Sequence, residues 1–443
     1  MDITLGKLSP YLALSLLTAA MNVSAQDPDA VDLDWRASVG LVSEITNNAG
    51  KVHGEDTLSE RQDEARLELG GDYSNSLIEL GVNYRASERR FDKDSQKDRR
   101  RLEGRSELTI GKPYHLGDLY ISHTRQSVLN APDDVDLLAN TDEREILTAR
   151  PSLRWRASAA NTFVTSGNYA RIDYRFAPER RSERTGATLT WLRRMSPTDN
   201  FTFTAQQTEI AFDAAPEVDY DLTTLAVTYA VELRQLSYSL RAGRNRTKPA
   251  IGESVSRPTY SADINYTSGP NLWSLSASRF LTDSSGGGGS AGEFDRFNPR
   301  DASTARLDQM ERIDAEFTWR TQALCQRCSL SAGLFYRADD YQEIDEDRSE
   351  LGARAGLDYR LAPSTSVRLS WDRRDHSFDE DSDRPDYRLT RTQVSYNHRF
   401  ISGLNTRVYV RYHQRGSHWA DADASRREYT EAVAGFGLTY DLL

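Results

Sequence analysis

The sequence predicts an all-β fold: a single transmembrane antiparallel up-and-down β-barrel of about 20 strands, with 18 and 22 open as counts. Three observations carry this. From Asp32 onward, about twenty segments set an apolar row against a polar one with a period of two. The connections between them alternate short and long. The last segment, Tyr429–Leu443, ends in a free edge that closes the sheet if it pairs with Leu33–Leu41. Lipid tolerates only closed sheets, because an open edge leaves backbone groups without partners.

The N-terminus comes first in order. Lys7 precedes an apolar run from Tyr11 to Met21, and Val23-Ser24-Ala25 has the small-x-small form of a cleavage site. Residues 1–25 are therefore expected to be a secretory signal peptide, and 26–443 the barrel. No Cys follows the apolar run, so lipid attachment there is not expected. Export without a roughly 18-residue apolar helix leaves the periplasm, the outer membrane or the medium. A barrel selects the cell outer membrane of a Gram-negative envelope.

In the opening strand, Leu33, Trp35, Ala37, Val39 and Leu41 oppose Asp34, Arg36, Ser38 and Gly40. In the hairpin strand at 78–85, Ile78, Leu80, Val82 and Tyr84 oppose Glu79, Gly81, Asn83 and Arg85. The same alternation recurs at 147–155, 236–242, 351–360 and 406–413. Around Leu116–Ser122 and Phe163–Ala170 either row could face outward. The final strand sets Ala432, Ala434, Phe436, Leu438, Tyr440 and Leu442 against Glu431, Val433, Gly435, Gly437, Thr439 and Asp441.

Turn-forming sequences such as Ser74-Asn75-Ser76, Lys112-Pro113-Tyr114, Ser196–Asp199, Ser268-Gly269-Pro270 and Ala362-Pro363-Ser364 make the short connections. Charged, Gly/Asp/Ser-rich stretches make the long ones, including Asn47–Ser59, Leu129–Arg144, Ser284–Thr304, Ala338–Ser349, Asp375–Pro385 and Gly416–Arg427. Short turns are then periplasmic and long loops extracellular. Two loops are candidate plugs of the lumen: Ser284–Thr304, with its Gly286–Gly289 run, and Leu129–Arg144, with apolar Val135, Leu137, Leu138 and Ala139.

Composition narrows the function classes. Hydrophobic residues are 38% and charged ones 28%, which is lean for several packed cores but suits a wall with one polar face. The formal charge is −11, so there is no basic excess for nucleic acid. The polar row carries the pore-lining candidates Arg36, Arg85, Arg105, Arg150, Arg154, Arg241, Glu316, Arg354, Asp358, Arg407 and Arg411. Mixed charge on a watered wall has two readings: cross-strand pairing that stiffens it, and a charge layout that sorts permeants. Arg and Tyr together also suit sugar hydroxyls and carboxylates.

Cys325-Gln326-Arg327-Cys328 falls where a short turn is due. With no second CxxC or His pair near it, a small disulfide fixing that turn is the expectation. Asp379-Glu380-Asp381-Ser382-Asp383 opens like a calcium loop, yet Arg384 stands where Gly is needed and Thr390 where Glu is needed. With Asp339, Asp340, Glu343, Asp345, Glu346 and Asp347 it is read as a solvated acidic rim, and no metal centre is expected. The seven histidines stand at no recognisable spacing from a Ser and an acid. The sequence therefore predicts neither an enzyme nor a cofactor.

The opening strand Trp35–Ser43 leading into Glu44-Ile45-Thr46-Asn47-Asn48, followed by hairpins of the Leu77–Arg85 kind, resembles Gram-negative outer-membrane barrels. More narrowly it resembles the β-barrel porin-2-like and PEP-CTERM-system-associated barrels found with exopolysaccharide synthesis and export. The likeness spans Asp32–Leu443 and carries no site residue. It implies a porin-like pore or translocation channel, with polysaccharide as cargo. A structural or surface-interaction barrel with a loop-plugged lumen is the alternative. The partners expected are outer-membrane lipid and lipopolysaccharide, the barrel-assembly machinery, the polysaccharide and a periplasmic export partner. Such barrels usually end in Phe; here Leu442 takes the lipid-facing slot, so machinery recognition is expected to be weaker or to rest on internal strands.

Overall fold

A computed structural model describes residues 32–111, 116–130, 134–285, 307–379, 384–417 and 428–442. The predicted signal peptide, the Lys112-Pro113-Tyr114 turn, the Gly286–Gly289 run, most of the Asp379–Asp383 loop and most of the Gly416–Arg427 loop lie outside these residues. Twenty antiparallel strands form one sheet. The first six are β1 (Asp32–Thr46), β2 (Glu60–Ser74), β3 (Ile78–Phe91), β4 (Arg99–Ile110), β5 (Gly117–Leu129) and β6 (Thr141–Arg156). The next seven are β7 (Asn161–Tyr174), β8 (Ser182–Arg194), β9 (Asp199–Phe212), β10 (Tyr220–Glu232), β11 (Leu236–Pro249), β12 (Val255–Ser268) and β13 (Asn271–Asp283). The last seven are β14 (Gln309–Thr321), β15 (Cys328–Tyr341), β16 (Arg348–Ala362), β17 (Thr365–Phe378), β18 (Tyr387–Arg399), β19 (Leu404–Ser417) and β20 (Tyr429–Asp441).

Every strand pairs with its sequence neighbours, and β20 closes on β1 with Gly40 opposite Thr439 and Thr46 opposite Val433. The closed barrel has the count and the closing pair that the sequence predicts. The register fixes the two faces. Glu44, Glu64, Tyr409, His413 and Glu431 are all under 9% exposed, and in a single-walled sheet only the enclosed face can bury them. The opposite row is apolar and uncovered, as at Leu41 (63%) and Val410 (59%). On the strands whose face the sequence left open, Leu119, Ile121, Phe163, Thr165 and Tyr169 take the outward row.

Near the turn end, outward rings stack from strand to strand. Trp155, Phe163 and Trp191 lie 5.5 and 6.5 Å apart, Trp191 meets Phe201 edge-on, and Tyr266 stacks on Trp273 at 5.3 Å. Such a girdle sits where acyl chains give way to headgroups. An apolar belt around a closed barrel needs lipid to cover it, and the protein belongs to the outer membrane.

Two loops the sequence does not single out, 175–181 and 213–219, each carry a 3-10 turn that begins at Pro178 or Pro216. The signal was present as a repeated Ala-Pro-Glu, at Ala177-Pro178-Glu179 and Ala215-Pro216-Glu217. Ala177 packs on inward-facing Val128, Ile146, Ile172 and Tyr174, and Ala215 and Val218 pack on Ile210, Phe212, Tyr220 and Leu222. These clusters give the loop end of the lumen an apolar lining that the strand pattern alone does not announce.

Candidate functional site: the barrel lumen

The register puts all eleven pore-lining candidates on the inward row. Most of them are tied to a neighbour. Arg85 Nε donates to Glu68 at 2.7 Å, Arg368 Nε to Asp358 at 2.6 Å, and Arg36 Nη2 to Asp72 at 3.4 Å. Arg105 pairs with Glu107, Arg354 with Glu316, and Arg411 lies 3.5 Å from Glu44. Arg150 stacks over Tyr120 and Arg407 over Tyr409. Arg154 and Arg241 take inward positions on β6 and β11. The exposed pairs contribute little stability each, about 0–1 kcal/mol; their effect is to hold long side chains against the wall.

The inward rows divide into two sectors. On β7–β13 they are largely hydroxyl and amide, as in Thr202, Thr204, Gln206 and Thr208 on β9 or Ser274, Ser276 and Ser278 on β13. On β14–β20 and β1–β4 they carry arginines and carboxylates, with arginine but no carboxylate on β18 and β19 and carboxylate but no arginine on β20. Within the charged sector lies a cavity of about 810 Å³ opening toward the Ala362-Pro363-Ser364 turn. Arg66, Arg89, Arg360, Arg399, Arg407 and Arg411 line it, with Glu44 as the acid of its wall. Among the described residues Arg360 and Arg407 have no carboxylate partner.

Both candidate plugs send described residues across the loop-end mouth. From the β5–β6 loop, Asp136 accepts a hydrogen bond from Lys51 Nζ through its carbonyl at 2.5 Å, and its carboxylate lies 3.8 Å from Arg391 on β18. Asp134 and Asp136 line a cavity of about 320 Å³ together with Arg374, Arg391 and Arg415. At the start of the β13–β14 loop, Arg184 on β8 reaches Asp283 at 2.9 Å, with both side chains almost fully buried. Tyr220 on β10 donates to the same carboxylate at 2.6 Å, and Tyr174 on β7 donates to the Ser285 carbonyl. Pairs so distant in sequence carry no local pattern, which is why the sequence names the loops but not their anchors.

The acidic rim needs one correction. Asp339 is not solvated: it is 1% exposed and is clamped by Arg312 at 2.6 Å and Arg348 at 2.7 Å. It lies on the inward row of β15 rather than in the loop, and the two arginines reward its burial. Asp347 does stay in the loop, where burial and then the neighbouring Asp340, Asp379 and Asp345 push its carboxyl up. The structure joins Cys325 and Cys328, whose Cα atoms lie 5.3 Å apart, in the turn between β14 and β15. Among the described residues no group of three or more His, Cys, Asp or Glu is placed to hold a metal ion.

No family model matches the chain, and no curated relative does. Among solved structures it is similar to the siderophore receptor PirA of Pseudomonas aeruginosa, at 14% identity, TM-score 0.43, over 92% of this chain and 80% of that one. It is also similar to Pseudomonas aeruginosa OccK11 (12%, TM-score 0.39, 93% and 97%) and to Acinetobacter baumannii OccAB2 (9%, TM-score 0.37, 93% and 98%).

Proposed function

We infer that the protein is an outer-membrane channel whose lumen passes a hydrophilic cargo, and that it acts as a conduit rather than as a soluble-substrate enzyme. The observation that carries this is the charged cavity inside a closed wall: 20 strands enclose a wider space than the 16–18 strands of aqueous porins. The eleven inward candidates would then line the permeation path. Envelope exopolysaccharide is the cargo we propose, on the family resemblance and on two features that suit it. The hydroxyl and amide sector offers hydrogen bonds to sugar hydroxyls, and Arg360 and Arg407 offer forks to carboxylates.

The anchored loop ends favour a second reading, a structural or surface-interaction barrel closed by its own loops. Single-channel recording in a planar bilayer separates the two, using the full-length protein and a form lacking 284–304. Conductance in the full-length protein supports an open channel. Current only after deletion supports a channel that a partner must open. Silence in both moves the reading to the surface-interaction barrel.

A further inference from the structure

The outward wall carries a hydrogen-bonded array at the loopward border of its apolar belt, beside the outward Arg125–Glu145 and Arg171–Glu183 pairs. On β4 and β5 Ser106 stands directly opposite His123, both on the outward row with Leu108, Ile110, Leu119 and Ile121. Tyr84 on β3 and Glu145 on β6 take the same face. The Tyr84 hydroxyl lies 3.2 Å from Ser106 Oγ and 2.5 Å from His123 Nδ1. On the other side of the ring, His123 Nε2 lies 3.0 Å from Glu145 Oε1. The four side chains thus form one hydrogen-bonded line across four strands. Ionisable groups facing lipid are costly and rare, and where they occur they usually mark a functional site.

Beside the array, toward the turn end, the outward wall has a groove of about 640 Å³ lined by Leu77, Ile110, Leu119, Pro151, Leu153 and Gly167 among others. Ile110 and Leu119 lie four residues from Ser106 and His123, about 13 Å along the strands. The groove's lining is mostly apolar and lies mostly on the outward row, which suits a lipid acyl chain. A chain whose ester stands at Ser106 and whose tail runs toward the turns lies along it.

We propose that this outward face is an acyl-ester hydrolase site for membrane lipids, with Ser106 as nucleophile, Tyr84 and His123 as the proton relay and Glu145 as the group that orients His123. Ser106 Oγ attacks the ester carbonyl; its proton passes to Tyr84 as the Tyr84 proton passes to His123 Nδ1. The tetrahedral intermediate collapses, the C–O bond to the lipid alcohol breaks, and that alcohol takes the proton back along the relay. Water then hydrolyses the acyl-Ser106 ester by the same route and releases a fatty acid. No metal or redox partner enters the balance. Ser122, the serine adjacent to His123 in sequence, lies on the inward row and takes no part.

The test uses the full-length barrel, folded in detergent micelles and in phosphatidylcholine vesicles, with fatty-acid release as the readout and fluorophosphonate labelling mapped by mass spectrometry. The expected result is release by the wild-type protein, a label on Ser106, and loss of at least 100-fold in Ser106→Ala. That substitution removes one hydroxyl on a lipid-facing row and leaves the barrel assembled. His123→Ala should behave alike. Glu145→Gln, a positioning change, should lower kcat with KM held and displace the acid limb of the pH–rate profile. A wild-type barrel that releases no fatty acid and takes no label overturns the proposal, as does release that survives Ser106→Ala. Because the array lies outside the lumen, single-channel conductance should be the same in Ser106→Ala as in wild type.

Discussion

At Gly104 on β4 one hydrogen atom separates two strands. A Cβ built there would stand 2.3 Å from the Asn83 carbonyl and 2.5 Å from the Tyr84 ring, and the residue has φ +156°. Gly104→Ala is therefore expected to force β3 and β4 apart and to destabilise the barrel by about 1–3 kcal/mol, read as a lower midpoint in guanidinium unfolding from micelles. An unchanged midpoint would mean the strands yield without cost. The next-door strand separates the two faces within one dipeptide. Leu80 points to lipid, so Leu80→Arg should cost about 2–4 kcal/mol in the bilayer and lower the folded yield. Gly81 faces the lumen, with Asp72 Oδ1 as the nearest atom a Cβ would meet, at 3.5 Å. Gly81→Arg should be accepted there and paired with that carboxylate. Equal loss of folded yield in both variants would mean the two rows are not distinguished by lipid.

At the scale of elements, strand rows were legible because a period of two is written into every segment. Loop anchors were not, because burial depends on partners far away in sequence. Asp339 shows the difference: read as one acid in a run from Asp339 to Asp347, it belongs to the strand and meets Arg312 and Arg348 from its neighbours. The Arg184–Asp283 anchor is the same kind of feature. Removing one partner of a buried pair leaves the other charge uncompensated, at about 3–5 kcal/mol. Arg184→Met should therefore release Asp283 and Ser285 from β8 and raise protease cleavage after β13. Asp308 adds a pH dependence. Its carboxylate accepts N–H groups from Gln342, Glu343 and Ile344 at 3.0, 2.8 and 3.1 Å, tying the β15–β16 loop to the base of β14. Burial nevertheless outweighs those bonds and raises its pKa above 3.8. A raised folded value means that burying the group costs more once it is ionised, so its contribution to folded-state stability is present below the unfolded value and is lost as pH rises through the folded one. Amide exchange at Glu343 and Ile344, corrected for intrinsic rate, should show more protection near about pH 3.5 than near about pH 7. The opposite order would mean the N–H bonds dominate.

For the whole molecule, the open question is which charges the cargo feels. The formal charge of −11 is a property of the chain, and much of the acid lies in the long extracellular loops. The wall is different: its arginines and carboxylates are mostly tied to each other, and two described arginines without a carboxylate partner, Arg360 and Arg407, border the 810 Å³ cavity. If the loops set selectivity, the channel prefers cations; if the wall does, it prefers anions. Wall charges act through the lumen water, where the Debye length falls from about 10 Å at 0.1 M salt to about 3 Å at 1 M. Reversal potentials in a potassium chloride gradient should thus show anion preference at low salt that fades as salt rises. The double variant Arg360→Gln/Arg407→Gln should lose that preference without closing the channel, since neither side chain gives up a carboxylate partner. A cation preference at low salt would assign selectivity to the acidic loops. An unchanged reversal potential in the double variant would mean the current bypasses the β16–β20 sector.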